Sequence, residues 1–407
     1  MVEASPLPAI KWKGFTLNSF ISNSRFRAAA LAATVVVVVI ATAGPALAQP
    51  PVPIRYSTRA LGMGGTMLLS AGPIEAGYFN PGAITQSGGL HIFATMQLTN
   101  DGSYLDFAKF LKDNRNKLSP AGFAGLTISE ATELANDIDQ FTDKWQTLNL
   151  DPMIGLQLGS LSFSAYSVSR LNLKPDISGL PFSPPVINAQ IYSDIVINGA
   201  FGKQFGPFLH GGVGVRYLQR QHSNLLTIDP QDMGDLADFT GNNILLDKDN
   251  FDEDPWTAFQ VDACAMFTLT KAFAAGGVIR GLYSSSSSDM PDAEWKPEIS
   301  AGIRLKPLEL LMGIPLIIIK DITLEANIRD ISNAYEEDYS EKLQFGAEIK
   351  LPLFALRAGF NRGQASFGAG FHFLIVDISG AISTVSDVTP EGVIEKRYYS
   401  IAAGIGF

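Results

Sequence analysis

The side chains most able to do chemistry are sparse and badly spaced for it. His91, His210, His222 and His372 form no H-x-H or H-x-x-x-H pair, so the imidazole clustering that zinc needs is missing. Cys264 is the single cysteine, which rules out an internal disulfide and argues against a thiolate metal site. No G-x-S-x-G elbow is present, and the serine run Ser284 to Ser288 reads as flexible loop, not nucleophile. Asp247, Asp249, Asp252, Glu253 and Asp254 suggest Ca²⁺, but an EF-hand needs Gly at position six and Glu at twelve, where Asp252 and Ala258 stand. A solvated acidic face or loose cation binding is the better reading. The expectation is therefore no catalytic residues, no metal and no cofactor: not an enzyme.

One set of charges remains, and its spacing is informative. Arg216, Arg220, Asp262, Arg280, Glu298, Arg304, Glu325, Arg329, Glu348, Arg357 and Asp377 all fall on the polar parity of stretches that alternate with period two. Ile322, Leu324, Ala326 and Ile328 alternate with Thr323, Glu325, Asn327 and Arg329; Leu343, Phe345, Ala347 and Ile349 alternate with Gln344, Gly346, Glu348 and Lys350. Such strands have one apolar and one wet face. Mixed signs on the wet face imply ion pairs inside a filled barrel, not a wide aqueous pore.

Composition limits what can hold these strands. Of the 407 residues 46% are hydrophobic and 17% charged, against roughly 25% charged in typical soluble domains. The formal net charge of -10 argues against nucleic-acid binding through phosphate neutralisation. Lys11, Lys13, Arg25 and Arg27 precede the apolar run Ala28 to Ala43, which ends in Gly44-Pro45 and Ala46-Leu47-Ala48. This reads as a signal peptide over 1–48, cleaved before Gln49. Its removal takes away four positive charges and Glu3, leaving about -13. No other run approaches ~20 apolar residues, and the remaining membrane architecture is a barrel.

Fourteen strands are expected, at 88–100, 151–158, 161–172, 187–203, 207–221, 256–270, 272–285, 294–306, 318–332, 341–351, 353–361, 364–374, 376–385 and 396–407. Connections after odd strands are mostly long and polar (101–150, 173–186, 222–255, 286–293, 333–340, 386–395); those after even strands are mostly tight. That asymmetry puts long loops outside and short turns in the periplasm. Arg362-Gly363 is unusually short for the outer side, and 307–317 unusually long for the inner. In the first long loop, Thr127 and Glu130 have capping-box spacing, and Ala131, Leu134, Ala135, Ile138, Phe141 and Trp145 form a helical stripe. This external helix either lids the outer mouth to receive apolar ligands or covers the loop's own core.

Residues 49–87 lack clean alternation and are rich in turn formers. Arg59-Ala60-Leu61-Gly62-Met63-Gly64-Gly65-Thr66, followed by Tyr78-Phe79-Asn80-Pro81-Gly82-Ala83, resembles the N-terminal hatch of the FadL-type superfamily of outer-membrane transporters, which also includes PorV-like and TraF-like barrels. Gly82 stands where that family's Asn-Pro turn usually carries alanine. The resemblance implies a fourteen-strand barrel, 88–407, with a hatch over 49–87 inside the lumen, and passive uptake of hydrophobic small molecules such as fatty acids or hydrocarbons. It equally allows a plugged barrel serving as a structural or partner-binding platform in secretion or conjugation.

The candidate gating residues are Gly62, Gly64, Gly65, Asn80, Pro81 and Gly82. The glycines permit positive φ and close backbone approach in a crowded lumen, and Asn80-Pro81 is a turn signal. A phosphate-binding loop is excluded by the absence of a G-x-G-x-x-G spacing and a following helix. At the other end, Tyr399, Ile401, Ala403, Ile405 and Phe407 share one parity, and the terminal Phe407 resembles the assembly signal of bacterial outer-membrane proteins. The expected partners are outer-membrane lipids, the barrel-assembly machinery and a hydrophobic small-molecule ligand, in the outer membrane of a Gram-negative cell.

Overall fold

The computed structural model describes residues 55–143, 145–179, 184–223, 226–228, 255–287, 297–310, 319–333, 339–389 and 392–406. The expected signal peptide 1–48, the acidic cluster 247–254 and Phe407 lie outside them.

Among the described residues fifteen strands form: β1 Leu90–Asp101, β2 Gln146–Leu158, β3 Leu161–Asp176, β4 Val186–Phe205, β5 Leu209–His222, β6 Leu226–Ile228, β7 Trp256–Thr270, β8 Phe273–Ser286, β9 Glu298–Leu305, β10 Asp321–Ile328, β11 Leu343–Lys350, β12 Phe354–Asn361, β13 Gln364–Phe373, β14 Val376–Thr389 and β15 Gly392–Gly406. Each wall strand pairs antiparallel with its neighbours; β15 pairs with β1 and β3 with β4, so fourteen strands close a ring. The three-residue β6 adds only to the outer end of β4. Closure leaves no unpaired edge, the condition for a sheet to stand in lipid.

Alternation decides which face each residue takes. On β1, Leu90, Ile92, Met96 and Leu98 are exposed whereas Gln97 and Thr99 are buried. On β15, Tyr399, Ile401 and Ile405 point outward while Tyr398, Ser400 and Ala402 are buried. A protein in water would not expose so many large apolar side chains around its girth; facing acyl chains, they stabilise insertion. Among the described residues no helix is long and apolar enough to cross a membrane; the crossing elements are strands.

Several boundaries differ from the sequence reading. β2 starts at Gln146, because Pro152 costs only a gap in the ladder with β3 while the ladder with β1 continues through it. Strands β3 and β4 run on to Asp176 and Val186, and β14 and β15 to Thr389 and Gly392, so much of the expected loops 173–186 and 386–395 is hairpin. Ser284, Ser285 and Ser286 are not flexible loop either: they pair with Gln260, Phe259 and Ala258. The short outer connection is real. Arg362 and Gly363 both have positive φ, 50° and 78°, the two-residue turn whose twist matches a hairpin.

The long loop after β1 carries four helices, the longest Gly102–Asp113 and Ile128–Asp139. Thr127 and Glu130 form the expected capping box. The helix stops at Asp139, yet its apolar stripe is buried: Leu134, Ile138 and Phe141 pack with Phe107, Leu111, Leu173, Ile187 and Ile228. The stripe therefore covers the loop's own core, supported by the outer ends of β3 and β4, and is not an open groove.

Candidate functional site

The barrel interior is occupied by Arg55–Ser87. Its first turn begins where the Ser57 hydroxyl caps the short helix Thr58–Gly62 by accepting the Ala60 N–H at 3.2 Å. Gly64 and Gly65 follow with φ of 65° and 79°, a conformation that costs other residues dearly. The turn then lies flat on the wall. Gly346 and Gly359 are directly opposed on β11 and β12; a Cβ on Gly359 would stand 2.1 Å from the Gly64 nitrogen, and one on Gly346 would stand 2.6 Å from the Met63 carbonyl oxygen. Gly62 has no positive φ. Its need is proximity, since an added Cβ would meet the Gly368 Cα at 3.0 Å.

The second turn is built the same way. Asn80 Oδ1 accepts the Gly82 N–H at 3.1 Å, and its Nδ2 donates to the Leu68 carbonyl at 2.9 Å. Pro81 opens a 3₁₀ helix, Pro81–Gln86, with no N–H to lose at that position. Beneath it, Gly202 and Gly212 are opposed on β4 and β5. A Cβ on Gly212 would fall 2.6 Å from both the Gly82 nitrogen and the Pro81 carbonyl carbon. Gly82 itself faces Cys264, whose Sγ accepts its N–H at 2.9 Å, and a side chain there would crowd that sulfur at 3.3 Å. Tyr78 and Phe79, just before the turn, pack with Met153, Tyr166, Val196, Leu218 and Trp256. Burial pushes the Tyr78 hydroxyl well above its ordinary pKa.

Several inward charges pair, and some of them grip this segment. Arg216 meets Asp262 at 2.7 Å and Arg280 meets Glu298 at 2.7 Å. A register shift between Val261 and Ala263 lets Asp262 also accept the Gly281 N–H at 3.0 Å. Glu325 accepts the Leu69 N–H at 3.0 Å, while Arg304 donates to the Leu69 carbonyl at 2.6 Å. Glu348 is the busiest acid. It receives Arg59 through two hydrogen bonds of 2.9 and 2.7 Å, Arg357 at 2.9 Å, and Lys350 at 3.5 Å. Burial opposes the Arg59 charge, but Glu348 outweighs it and raises the guanidinium pKa.

Asp377 faces His372 at 3.7 Å near the short-turn end. Arg329 lies just past β10, beside a space of about 20 Å³ shared with Arg280 and Asn327, which is room for one water. Sequence reading missed Arg59 as an ion-pair partner, the buried Lys342–Asp330 pair at 3.3 Å, and the opposed wall glycines. The glycines did carry a signal: all four occupy the wet parity of their strands, where a side chain costs nothing unless something lies against it.

Between Arg55–Glu75 and the wall from β10 through β15 to β1, a cavity of about 560 Å³ remains at the short-turn end. Ile74, Phe93 and Ala402 give it apolar surface, and Arg357, Glu348, Asp377 and His91 give it polar points.

No known protein family and no curated protein matches the sequence. Solved structures do match. A deltaS2 mutant of the TodX monoaromatic hydrocarbon channel aligns with a TM-score of 0.50 and 12% identity, over 86% of this chain and 97% of that one. The Ralstonia pickettii toluene transporter TbuX aligns at 0.47 and 12%, over 87% and 99%; the P. putida toluene transporter TodX aligns at 0.45 and 12%, over 87% and 98%. The fold is that of the FadL-type outer-membrane transporters: a closed fourteen-strand antiparallel barrel.

Proposed function

We propose that this chain is a passive outer-membrane channel for hydrophobic small molecules, fatty acids or hydrocarbons, made of a signal peptide (1–48), a hatch (49–87) and a barrel (88–407). The observation that carries the reading is the lumen. A wide pore is blocked by a segment seated on opposed glycines, yet a half-open space of about 560 Å³ with partly apolar walls persists beside it. A segment packed through turns and polar grips, with no covalent tie to the wall, can shift to join that space to the outside. The like-folded TodX structure is described as a monoaromatic hydrocarbon channel, which supports the same solute class. Gly62, Gly64, Gly65, Asn80, Pro81 and Gly82 would set the hatch's resting position, and Phe407 would serve barrel assembly.

The test is uptake of toluene and of a long-chain fatty acid by a strain lacking the protein and by the complemented strain. Faster entry of either solute on complementation is expected. No difference for any apolar solute, with the barrel present and heat-modifiable on gels, would overturn transport and favour a partner-binding platform.

A further inference from the structure

The lipid face of the barrel is not uniformly smooth. Leu305, Leu324, Ala347 and Ala358 stand opposite one another in turn across β9 to β12, and one step nearer the outside so do Ile303, Ala326, Phe345 and Phe360. Register therefore gathers three alanines, Ala326, Ala347 and Ala358, among the larger side chains of the two rows, and an outward-facing groove of about 580 Å³ results, apolar almost throughout. That size falls within the ~300–1,000 Å³ of ligand clefts. Leu305, Leu324, Phe345 and Phe360 are all exposed, so the groove opens on the side of the wall away from the lumenal segment.

The short-turn ends of the same strands carry charge. Lys271 stands two residues before Phe273, which lines the groove, and Lys320 stands four before Leu324, which does too. Both lysines thus fall on the lipid-facing parity, about 7 and 13 Å toward the periplasm from those groove residues at ~3.3 Å per residue, and both are exposed. Among the described residues Lys320 hydrogen-bonds only the Pro352 carbonyl, at 3.3 Å, and neither lysine meets an acid. Lys306 already neutralises Asp321 at 2.8 Å, which leaves Glu309, on the 3₁₀ turn Pro307–Leu310, against two unpaired lysines. Other turns at this level present exposed apolar side chains instead: Leu158 and Leu161 after β2, Leu374 and Ile375 after β13. At the β4–β5 turn, Lys203 lies over the Phe205 ring at 5.8 Å.

We propose that this groove and its two lysines bind one phospholipid of net negative headgroup charge from the periplasmic leaflet. An acyl chain lies over the three alanines, and the phosphate meets Lys271 and Lys320 at the turns. Lysine ammonium groups reach such headgroups while their stems stay against hydrocarbon. A zwitterionic headgroup brings its own cation to the same place and gains less from the lysines. The assignment needs the barrel in a membrane and does not depend on transport.

The test is native mass spectrometry of the detergent-purified, heat-modifiable full-length protein with phosphatidylglycerol and phosphatidylcholine of identical acyl chains. One phosphatidylglycerol should be held about tenfold or more tighter than phosphatidylcholine, each lysine contributing about fivefold. Lys271→Gln combined with Lys320→Gln should bring the two lipids level, whereas Lys203→Gln should leave the preference as it was. Ala347→Phe fills the groove floor and should weaken both lipids while the headgroup preference persists. Where that variant fails to give a heat-modifiable barrel, Ala358→Leu fills the same floor from β12. Equal retention of the two lipids, a loss with Lys203→Gln as large as with the pair, or retention indifferent to filling the groove overturns the site. A dimer broken by Ala347→Phe, in place of bound lipid, would give the groove to a second copy of the chain and overturn it as well.

Discussion

The Met63–Gly64 turn rests on Gly346 and Gly359, and the Pro81–Gly82 turn rests on Gly202 and Gly212. The steric device is shared: opposed glycines on neighbouring strands let one backbone lie against another. What surrounds each turn differs. The first is fixed by charge, with Arg59 bound twice to Glu348 and Arg357 sharing the same acid. The second is fixed mostly by neutral groups, the Asn80 amide, the Cys264 sulfur and the Thr85 hydroxyl, which sits 2.7 Å from His210 Nδ1, with the Arg304 guanidinium reaching only the Gln86 side chain, at 2.8 Å. Neutral hydrogen bonds contribute about 1 kcal/mol each, and a buried neutral group left unpaired costs less than a charged one. A charged grip in a buried site behaves otherwise: intact it holds firmly, and losing one partner turns it into a penalty. The cavity lies beside the charged turn, so the end of the lumenal segment held by charge is also the end touching free space.

This contrast is easiest to break at Glu348. Glu348→Gln leaves Arg59 with Glu75 at 3.9 Å and takes from Arg357 its ion pair, an expected loss of about 3–5 kcal/mol in seating of the first turn. The barrel itself should still form, since its strand pairing is independent of the grip. Limited proteolysis of purified protein should then cut within residues 55–75 and spare 76–87; equal cutting at both turns would show that the segment moves as one body.

Gly359→Ala and Gly212→Ala make a matched pair one step smaller. Each puts a methyl against hatch backbone, at 2.1 Å from the Gly64 nitrogen and 2.6 Å from the Gly82 nitrogen. Overpacking of this kind costs about 1–3 kcal/mol. Each variant should raise hydrogen exchange only in its own turn. Asn80→Ala follows, removing a cap and the tie to Leu68 for about 1–2 kcal/mol, with faster exchange confined to residues 80–86. Protection unchanged there would mean that Pro81 alone sets the turn.

The barrel was legible in the sequence because lipid and lumen impose opposite demands on alternate residues, so Leu343 to Lys350 or Phe259 to Phe267 could be read without knowing their neighbours. Strand ends were less so, because above the membrane both faces can be wet and β14 and β15 extend where only hairpin pairing decides. The turn glycines were visible as a motif. Their seats were not: Gly346 and Gly359 are thirteen residues apart in sequence and become one surface only through the β11–β12 register. Arg59 was hidden for the same reason, its acid lying 289 residues away. The external helix was the opposite case, since its capping box closes over three residues and needs no tertiary partner.

That locality yields the smallest effect. Glu130 accepts the Thr127 backbone N–H at 2.8 Å, and Thr127 returns a hydroxyl oxygen to the Glu130 N–H at 3.3 Å. The Thr127 backbone N–H, then its hydroxyl, hold the fully exposed Glu130 carboxyl below its ordinary 4.5. A carboxylate whose folded value is depressed adds stability that is present above its unfolded value and lost as pH falls through the folded one. Exchange protection of Ile128–Asp139 should therefore hold at neutral pH and decline as the solution is acidified below about 4.5. Thr127→Ala should lower the neutral-pH protection slightly and flatten that decline, because the carboxylate then loses its hydroxyl partner. It should leave both lumenal turns untouched, since the loop core of Phe107, Leu134 and Ile138 shares no residue with theirs. A decline of unchanged size in the variant would place the acid sensitivity elsewhere in the loop. A change at Met63–Gly65 would couple the external helix to the hatch, and the charged turn would then answer to the outer face of the barrel as well as to its own cavity.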